Sequence, residues 1–148
     1  MNWKEEAKEK LRRYNAMKAA TINITEEINR LESEFTAIRS ARTDGTPVRG
    51  GTSSREDAII NNIVQRKELH AALQNAAALV KTVDRALESV SREERTILHR
   101  LYIYQERGAI ERLCNELGCE SSSVYRRRDR ALKKFTIALY GASGDEIP

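Results

Sequence analysis

The chain has 148 residues, of which 40% are hydrophobic and 32% charged, so it can bury the core of one or two small domains. Its net charge of +4 and pI near 9.2 suit a nucleic-acid partner, while only two prolines and seven glycines favour long helices over sheets. No apolar run reaches the roughly 18 residues of a membrane span, and the N-terminus lacks the apolar core of a signal peptide, so we expect a soluble, cytoplasmic, all-α protein with no membrane contact.

The first predicted helix begins at Trp3 and continues to about Ile38. Its apolar or small residues recur at alternating steps of four and three, with one lapse at Lys10: Trp3, Ala7, Tyr14, Met17, Thr21, Ile24, Ile28, Leu31, Phe35 and Ile38. This heptad seam is about five repeats long and keeps its phase, which predicts one continuous helix. A helix with a single apolar stripe needs a partner that covers it.

A second helix of similar length can supply that partner. Residues 42–53 contain Pro47 and three glycines and predict a flexible loop, after which Ser53 and Glu56 fit a capping box. The predicted inward positions of this helix are Ile59, Ile63, Arg66, Leu69, Leu73, Ala76, Val80, Val83, Leu87 and Val90. We therefore expect residues 1–90 to form a long antiparallel, coiled-coil-like helical hairpin, although a swapped or multi-chain coil would bury the same seams.

The hairpin also predicts self-association. Ile60, Val64 and Leu79 lie off the main stripe of the second helix, so the two seams leave more apolar edge than one antiparallel partner covers. We expect a homodimer through residues 3–90, with the hairpin serving oligomerisation or partner binding. The alternative is a monomer whose hairpin packs on its own C-terminal domain.

Residues 91–141 predict a three-helix domain. Ser91 and Glu94 repeat the capping-box pattern, and helices are expected at about 92–104, 109–117 and 121–140. Gly118 can adopt the left-handed conformation that ends the middle helix, and Ser121 can cap the last one. Two helices joined by so short a turn form a helix-turn-helix, and residues 142–148 are expected to be a disordered tail.

The last helix concentrates the positive charge of the chain. Residues 121–140 carry six lysines and arginines against one aspartate, whereas residues 1–90 carry 15 against 13 acidic residues. With Val124, Ala131 and Phe135 facing inward, the basic side of this helix is expected to enter a DNA groove. The alternative is an ordinary solvated basic face on a surface helix.

The candidate DNA-contacting residues follow from their positions on this helix. The N-terminal residues of a recognition helix reach base edges, which selects Ser121, Ser122, Ser123, Tyr125 and Arg126. Of these, Arg126 is best placed to pair with a guanine. Phosphate contacts are expected from Arg127, Arg130, Lys133, Lys134 and, before the middle helix, Arg107.

Three of these interpretations have structural alternatives. The serines can act as capping residues only, and Tyr125 can pack against the hairpin. Arg128 lies on the inward stripe, so we expect it to pair internally with Glu94 or Glu116 and not with DNA.

No catalytic, metal or cofactor site is predicted. Cys114 and Cys119 fall on apolar positions at either side of the turn, so we expect small core residues and not a disulfide. The two histidines have neither a metal-ligand spacing nor a paired nucleophile, and the carboxylates stand mostly at ion-pair spacing on helix faces. We therefore expect a protein that is not an enzyme.

The last fifty residues carry a resemblance to a known family. The matching positions are Ser91, Glu94 and Arg95, the Leu117–Gly118 turn, Ser121 and Val124, and the closing run Arg130, Ala131, Leu132, Lys133 and Lys134. This pattern resembles region 4 of bacterial sigma-70-type factors. The whole chain is similar to phage-encoded, sigma-like transcriptional regulators of the late-regulator type from Gram-positive phages and prophages.

The resemblance implies a sequence-specific regulator that binds double-stranded DNA and acts with the host RNA polymerase. The chain has no counterpart of the sigma segment that recognises the minus-ten promoter element, so it is not expected to act as a complete sigma factor. The alternative function is a phage DNA-packaging adaptor of the small-terminase type. Such subunits usually carry the helix-turn-helix at the N-terminus, whereas here it is C-terminal, and this order favours regulation.

Overall fold

The computed structural model of the protein describes residues 2–41 and 51–142, without the side chains of residues 51–53. Within these ranges the chain is all-α, as predicted, and contains no strand. Its five α-helices are α1 (Trp3–Ser40), α2 (Gly51–Glu88), α3 (Arg92–Leu98), α4 (Ala109–Leu117) and α5 (Ser121–Tyr140). None of the helices in these ranges combines the length and apolar character that crossing a membrane requires.

The chain divides into two compact units. Unit 1 comprises the described residues of Met1–Lys18 and Ala78–Pro148, and unit 2 those of Ala19–Ala77. The helices α1 and α2 therefore contribute to both units, while α3, α4 and α5 lie in unit 1.

Two apolar clusters hold unit 1 together. The larger one joins α1, α2 and α5 with the end of α3 and is centred on Leu11, Val83, Leu98, Leu132 and Phe135, none of which is exposed. The smaller one joins α3, α4 and α5 through Ile97, Leu113 and Val124. The helix α5 is thus anchored along 12 of its 20 residues, from Val124 to Phe135, on apolar contacts that involve all the other helices of the unit.

The apolar seam of α1 explains its place in unit 1. Ala7 and Tyr14 are buried as expected, and the apparent lapse at Lys10 is filled by Leu11, which is fully buried one residue further on. The Tyr14 hydroxyl donates to the Asp84 carboxylate at 2.5 Å, which joins α1 to α2. Burial and the hydrogen bond to this charged neighbour raise the pKa of Tyr14 to about 12.

In unit 2 the seam of α2 departs from the prediction at one position. Ile63, expected to face inward, is 47% exposed, and Asn62 is buried in its place. The Asn62 amide donates to the Leu31 carbonyl at 2.8 Å and its oxygen accepts from Nε of Arg66 at 2.8 Å. The 3.6-residue turn of a straight helix drifts against a strict heptad, so the inward face moves round by one position.

The three apolar residues that lie off the main stripe of α2 differ in their exposure. Ile60 and Val64 are 56% and 47% exposed, as expected for residues outside the seam. Leu79, expected to be exposed with them, is instead partly buried against the larger cluster of unit 1. The reason is that α2 packs against several helices in unit 1, whereas the prediction considered only its pairing with α1.

The predicted helix over 92–104 is interrupted. After α3 the backbone continues as a π-helical segment, His99–Ile103, closed by a hydrogen bond from the Tyr104 amide to the His99 carbonyl at 2.8 Å. Gln105 then has a positive φ of 50°, and Gly108, with φ of 70°, precedes α4. The wider π turn rotates Tyr102 and Ile103 into the core, where both are buried.

Three expectations concern segment ends. The helix α2 begins at Gly51, two residues before Ser53, so the last three residues of the predicted 42–53 loop are helical. The rest of that loop, the side chain of Ser53 and residues 143–148 of the predicted tail lie outside the described residues.

Candidate nucleic-acid interface

The turn between α4 and α5 has the geometry that its sequence predicted. Gly118 adopts a left-handed φ of 62° at the C-cap of α4, and its amide donates to the Cys114 carbonyl. The amide of Cys119 reaches the same carbonyl at 3.2 Å, so the chain reverses within a few residues. Cys114 and Cys119 are free thiols that pack, half-buried, against the smaller apolar cluster, so their prediction as core residues is confirmed in part.

The N-terminus of α5 is capped differently from the prediction. Glu120 is the N-cap, with extended backbone, and no side chain in the described part of the chain makes a capping hydrogen bond to the first turn. Ser121 is the first helical residue and is exposed, so its expected capping role is wrong. The physical reason is that an N-cap residue has non-helical backbone dihedral angles, and here Glu120 has them. The Ser123 amide donates to the Glu120 carbonyl at 3.0 Å, so the amides of Ser121 and Ser122 are the first-turn donors without a hydrogen-bond partner among the described residues.

The inner side of α5 is mostly apolar. Val124, Ala131 and Phe135 are buried as predicted, and Leu132 and Thr136 are buried beside them. The opposite side is exposed and carries most of the candidate residues, namely Ser122, Tyr125, Arg126, Arg130 and Lys133, with Ser123 half-buried at its edge. The helix therefore presents one continuous polar and basic surface to solvent.

Tyr125 does not pack into a core. It is 42% exposed, and the Arg128 guanidinium lies over its ring, 4.9 Å from the centroid. Arg128 also donates to Asp129 at 2.9 Å, so its predicted pairing with Glu94 or Glu116 is wrong. Those two carboxylates bind other cations: Glu116 pairs with Arg100 at 2.7 Å, and Glu94 with Lys134 on α5 at 2.7 Å.

Two of the candidate phosphate contacts are ion-paired to α3. Arg127 Nη1 lies 2.6 Å from Glu93, and Lys134 Nζ lies 2.7 Å from Glu94. By contrast, Arg126, Arg130 and Lys133 have no ion-pair partner among the described residues. Arg107 is also exposed, but it lies in the segment before α4 and is distant in sequence from the cations of α5.

Glu93 and Glu94 are the part of this surface that the sequence did not reveal. Ser91 caps α3 as predicted, because its Oγ accepts from the Glu94 amide at 3.1 Å. In a complete capping box the Glu94 carboxylate would turn back to the Ser91 amide, but here it accepts from Lys134 instead. The capping-box pattern predicted a role for Glu94 at the start of α3, but it gave no indication that Glu94 pairs with Lys134.

The described residues offer little else for chemistry. Within the described ranges no three His, Cys, Asp or Glu side chains converge where a metal ion could bind. The groove beside the basic surface is lined by Ser91, Glu93, Glu94, Arg127 and Arg130. It is an open cleft whose lining side chains are polar and of mixed charge.

No protein family model, curated protein or solved structure matches the chain.

Proposed function

We propose that residues 91–141 bind double-stranded DNA as a helix-turn-helix, with α5 lying in the major groove. The observation that carries the proposal is the division of α5 into two sides. One side is buried from Val124 to Thr136, and the other exposes Arg126, Arg130 and Lys133 without a carboxylate partner among the described residues. A firmly anchored helix with an unneutralised basic side is what binding in a groove needs.

The roles within the interface follow from position along α5. Ser122, Tyr125 and Arg126 lie in the first two turns, where a recognition helix meets base edges. Arg126 can donate two hydrogen bonds to a guanine, the commonest specific contact of an arginine. The later unpaired cations, Arg130 and Lys133, would meet phosphates, which orient the protein and do not read sequence.

The biological role we propose is sequence-specific regulation of transcription, in a phage or prophage and together with the host RNA polymerase. This part of the proposal is supported by the resemblance of residues 91–134 to region 4 of sigma-70-type factors. The left-handed Gly118 and the buried Val124 are compatible with that pattern. A complete target search in vitro, by selection of duplexes from a random pool, would identify the bound sequence.

Changing Arg126 to Ala tests the assignment directly. We expect the affinity for the selected duplex to fall by about 1–3 kcal/mol, because a base contact is lost while the apolar side of α5 is untouched. Fluorescence anisotropy measures the affinity and circular dichroism the helicity. Arg13→Ala is the matched control, since Arg13 is exposed on α1 and the net charge changes equally. Equal affinities of the two variants would contradict the role of Arg126.

We further propose that the chain is a homodimer formed through a helical hairpin of residues 3–90. A single helix-turn-helix contacts few base pairs, and specific regulators commonly place two copies on paired half-sites. Support comes from α2, where Ile60, Ile63 and Val64 lie within two turns and are 47–56% exposed. A second copy of the chain would cover them.

Sedimentation equilibrium at micromolar concentration tests the dimer. For the parent protein we expect about twice the chain mass of 16.9 kDa. For Ile60→Lys we expect a shift towards the mass of a single chain, because the introduced charge would lose its hydration at the proposed apolar contact. A parent protein with the mass of one chain would refute the dimer. A ring of eight or more subunits would instead indicate a DNA-packaging adaptor.

A further inference from the structure

We infer that Glu93 and Glu94 of α3 are positioning residues of the DNA interface. They hold Arg127 and Lys134, and thereby restrict the DNA contacts of α5 to one row of three cations: Arg126, which reads a base, and Arg130 and Lys133, which meet phosphates. The inference rests on the proposed function, because it assigns the path of the DNA backbone across the same helix.

The spacing of the cations separates them into two rows. Arg126, Arg130 and Lys133 stand at steps of four and three, so they form a single row along the exposed side of α5. Arg127 and Lys134 are seven residues apart and form a parallel row, about 100° further round the helix axis. This second row faces α3, where each cation meets a carboxylate within 2.7 Å.

Of the two ion pairs, the one between Lys134 and Glu94 is the stronger, because the buried Glu94 carboxylate depends on Lys134 for charge compensation. Glu94 is only 9% exposed, and its second oxygen, Oε2, is buried without a hydrogen-bond partner. Among the described residues, Lys134 is therefore the one cation within ion-pairing distance of this carboxylate. Transfer of Lys134 to a DNA phosphate would leave a buried charge unpaired, which is costly.

The Arg127 pair acts in the same direction, but its carboxylate is more accessible than that of Glu94, although the Arg127 side chain itself is less exposed than that of Lys134. The side chains of Arg127 and Glu93 are 35% and 46% exposed, so water screens their attraction. The carboxylate nevertheless lies next to the guanidinium and repels any phosphate that approaches it. The α3 carboxylates thus act as a boundary that keeps the DNA backbone on Arg130 and Lys133 of the first row.

The adjacent lysines provide a matched test, Lys133→Gln against Lys134→Gln. Both variants lose the same charge from neighbouring positions of one helix. Each neutralised phosphate contributes a slope of about 0.9 to the plot of log affinity against log salt. We expect Lys133→Gln to flatten that slope by about 0.9 and to leave the melting temperature unchanged. We expect Lys134→Gln to leave the slope unchanged and to lower the melting temperature by about 3 °C or more.

Two double variants separate the effect of each cation's position from effects on stability and on net charge. The double variant Glu94→Gln with Lys134→Gln removes both charges, so it should regain the melting temperature and keep the parental slope. The double variant Glu93→Gln with Glu94→Gln frees both cations, so it should bind non-specific duplex several-fold more tightly with a steeper slope. Glu68→Gln, on the exposed surface of α2, is the single-charge control and should change the slope little.

The outcomes distinguish the inference from the proposed function. If Lys134→Gln flattens the slope as much as Lys133→Gln, the inference is overturned while DNA binding stands. If the parent protein binds no duplex, the proposed function fails, and the salt needed to elute each variant from heparin then tests the two rows. Elution of Lys133→Gln alone at lower salt would support the inference, and an equal reduction for both lysine variants would overturn it.

Discussion

Asn62 provides the most direct test of how the two long helices pair in unit 2. It is 3% exposed within an otherwise apolar seam and makes two hydrogen bonds, one to the Leu31 carbonyl and one from Arg66. A buried polar side chain in such a seam fixes which residues face each other, because any other register leaves it unsatisfied. We predict that Asn62→Ala destabilises the protein by about 2 kcal/mol.

The magnitude follows from the two bonds. The bond to the Leu31 carbonyl is neutral and buried, and is worth about 1 kcal/mol. The bond from Arg66 is charge-assisted, but Arg66 is half-buried and also lies over the Phe35 ring at 4.7 Å, so it can turn to water. We therefore count this bond at about 1 kcal/mol, below the roughly 1.5–3 kcal/mol of a charge-assisted bond whose partner has no alternative.

Chemical unfolding followed by circular dichroism measures the difference. Asn61→Ala is the matched control, because Asn61 is the same residue type one position away and is exposed. We expect the control to remain within about 0.5 kcal/mol of the parent. If Asn62→Ala and Asn61→Ala are equally stable, Asn62 is not the buried hydrogen-bonded residue of this seam and the reasoning fails.

Two predictions concern unit 1. Tyr14 has a folded-state pKa of about 12 against an ordinary value near 10, so its contribution to stability is complete below about pH 10 and is lost as the pH rises through 12. The unfolding free energy of the parent should therefore fall towards that of Tyr14→Phe between pH 10 and 12, by up to about 2–3 kcal/mol. A constant difference between the two would refute the shift. Phe135→Ala should cost about 3–5 kcal/mol, since Phe135 is fully buried in the larger cluster, whereas Ile137→Ala, at a position 43% exposed on the same helix, should cost far less in the same denaturant titration.

The helices themselves were predictable because their signals are local. The steps of three and four between apolar residues identified α1 and α2, and the limits of α4 and α5 agree with the prediction to the residue. Gly118 ends α4 as expected because a left-handed φ of 62° is accessible to glycine at little cost. Such features involve residues within a few positions of one another, so the order of amino acids is enough to reveal them.

The departures along the helices have a common origin in packing. The π-helical segment His99–Ile103 has no distinctive sequence signal, and it forms where Tyr102 and Ile103 must both reach the core. Asn62 replaces Ile63 in the seam because the inward face is set by the partner helix as well as by apolar periodicity. In both cases contacts with distant residues outweigh the local preference.

For the candidate interface, the sequence by itself determined which cations lie on α5 and which apolar residues anchor it. Only the tertiary structure decided which of those cations are available. Glu93 and Glu94 lie 34 and 40 residues before Arg127 and Lys134, and no periodicity relates positions so far apart. The packing of α3 on α5 brings these charges within hydrogen-bond distance, because the buried Ile97 and Val124 hold the two helices against each other. The sequence therefore contains the charge of the surface, and the fold determines its distribution.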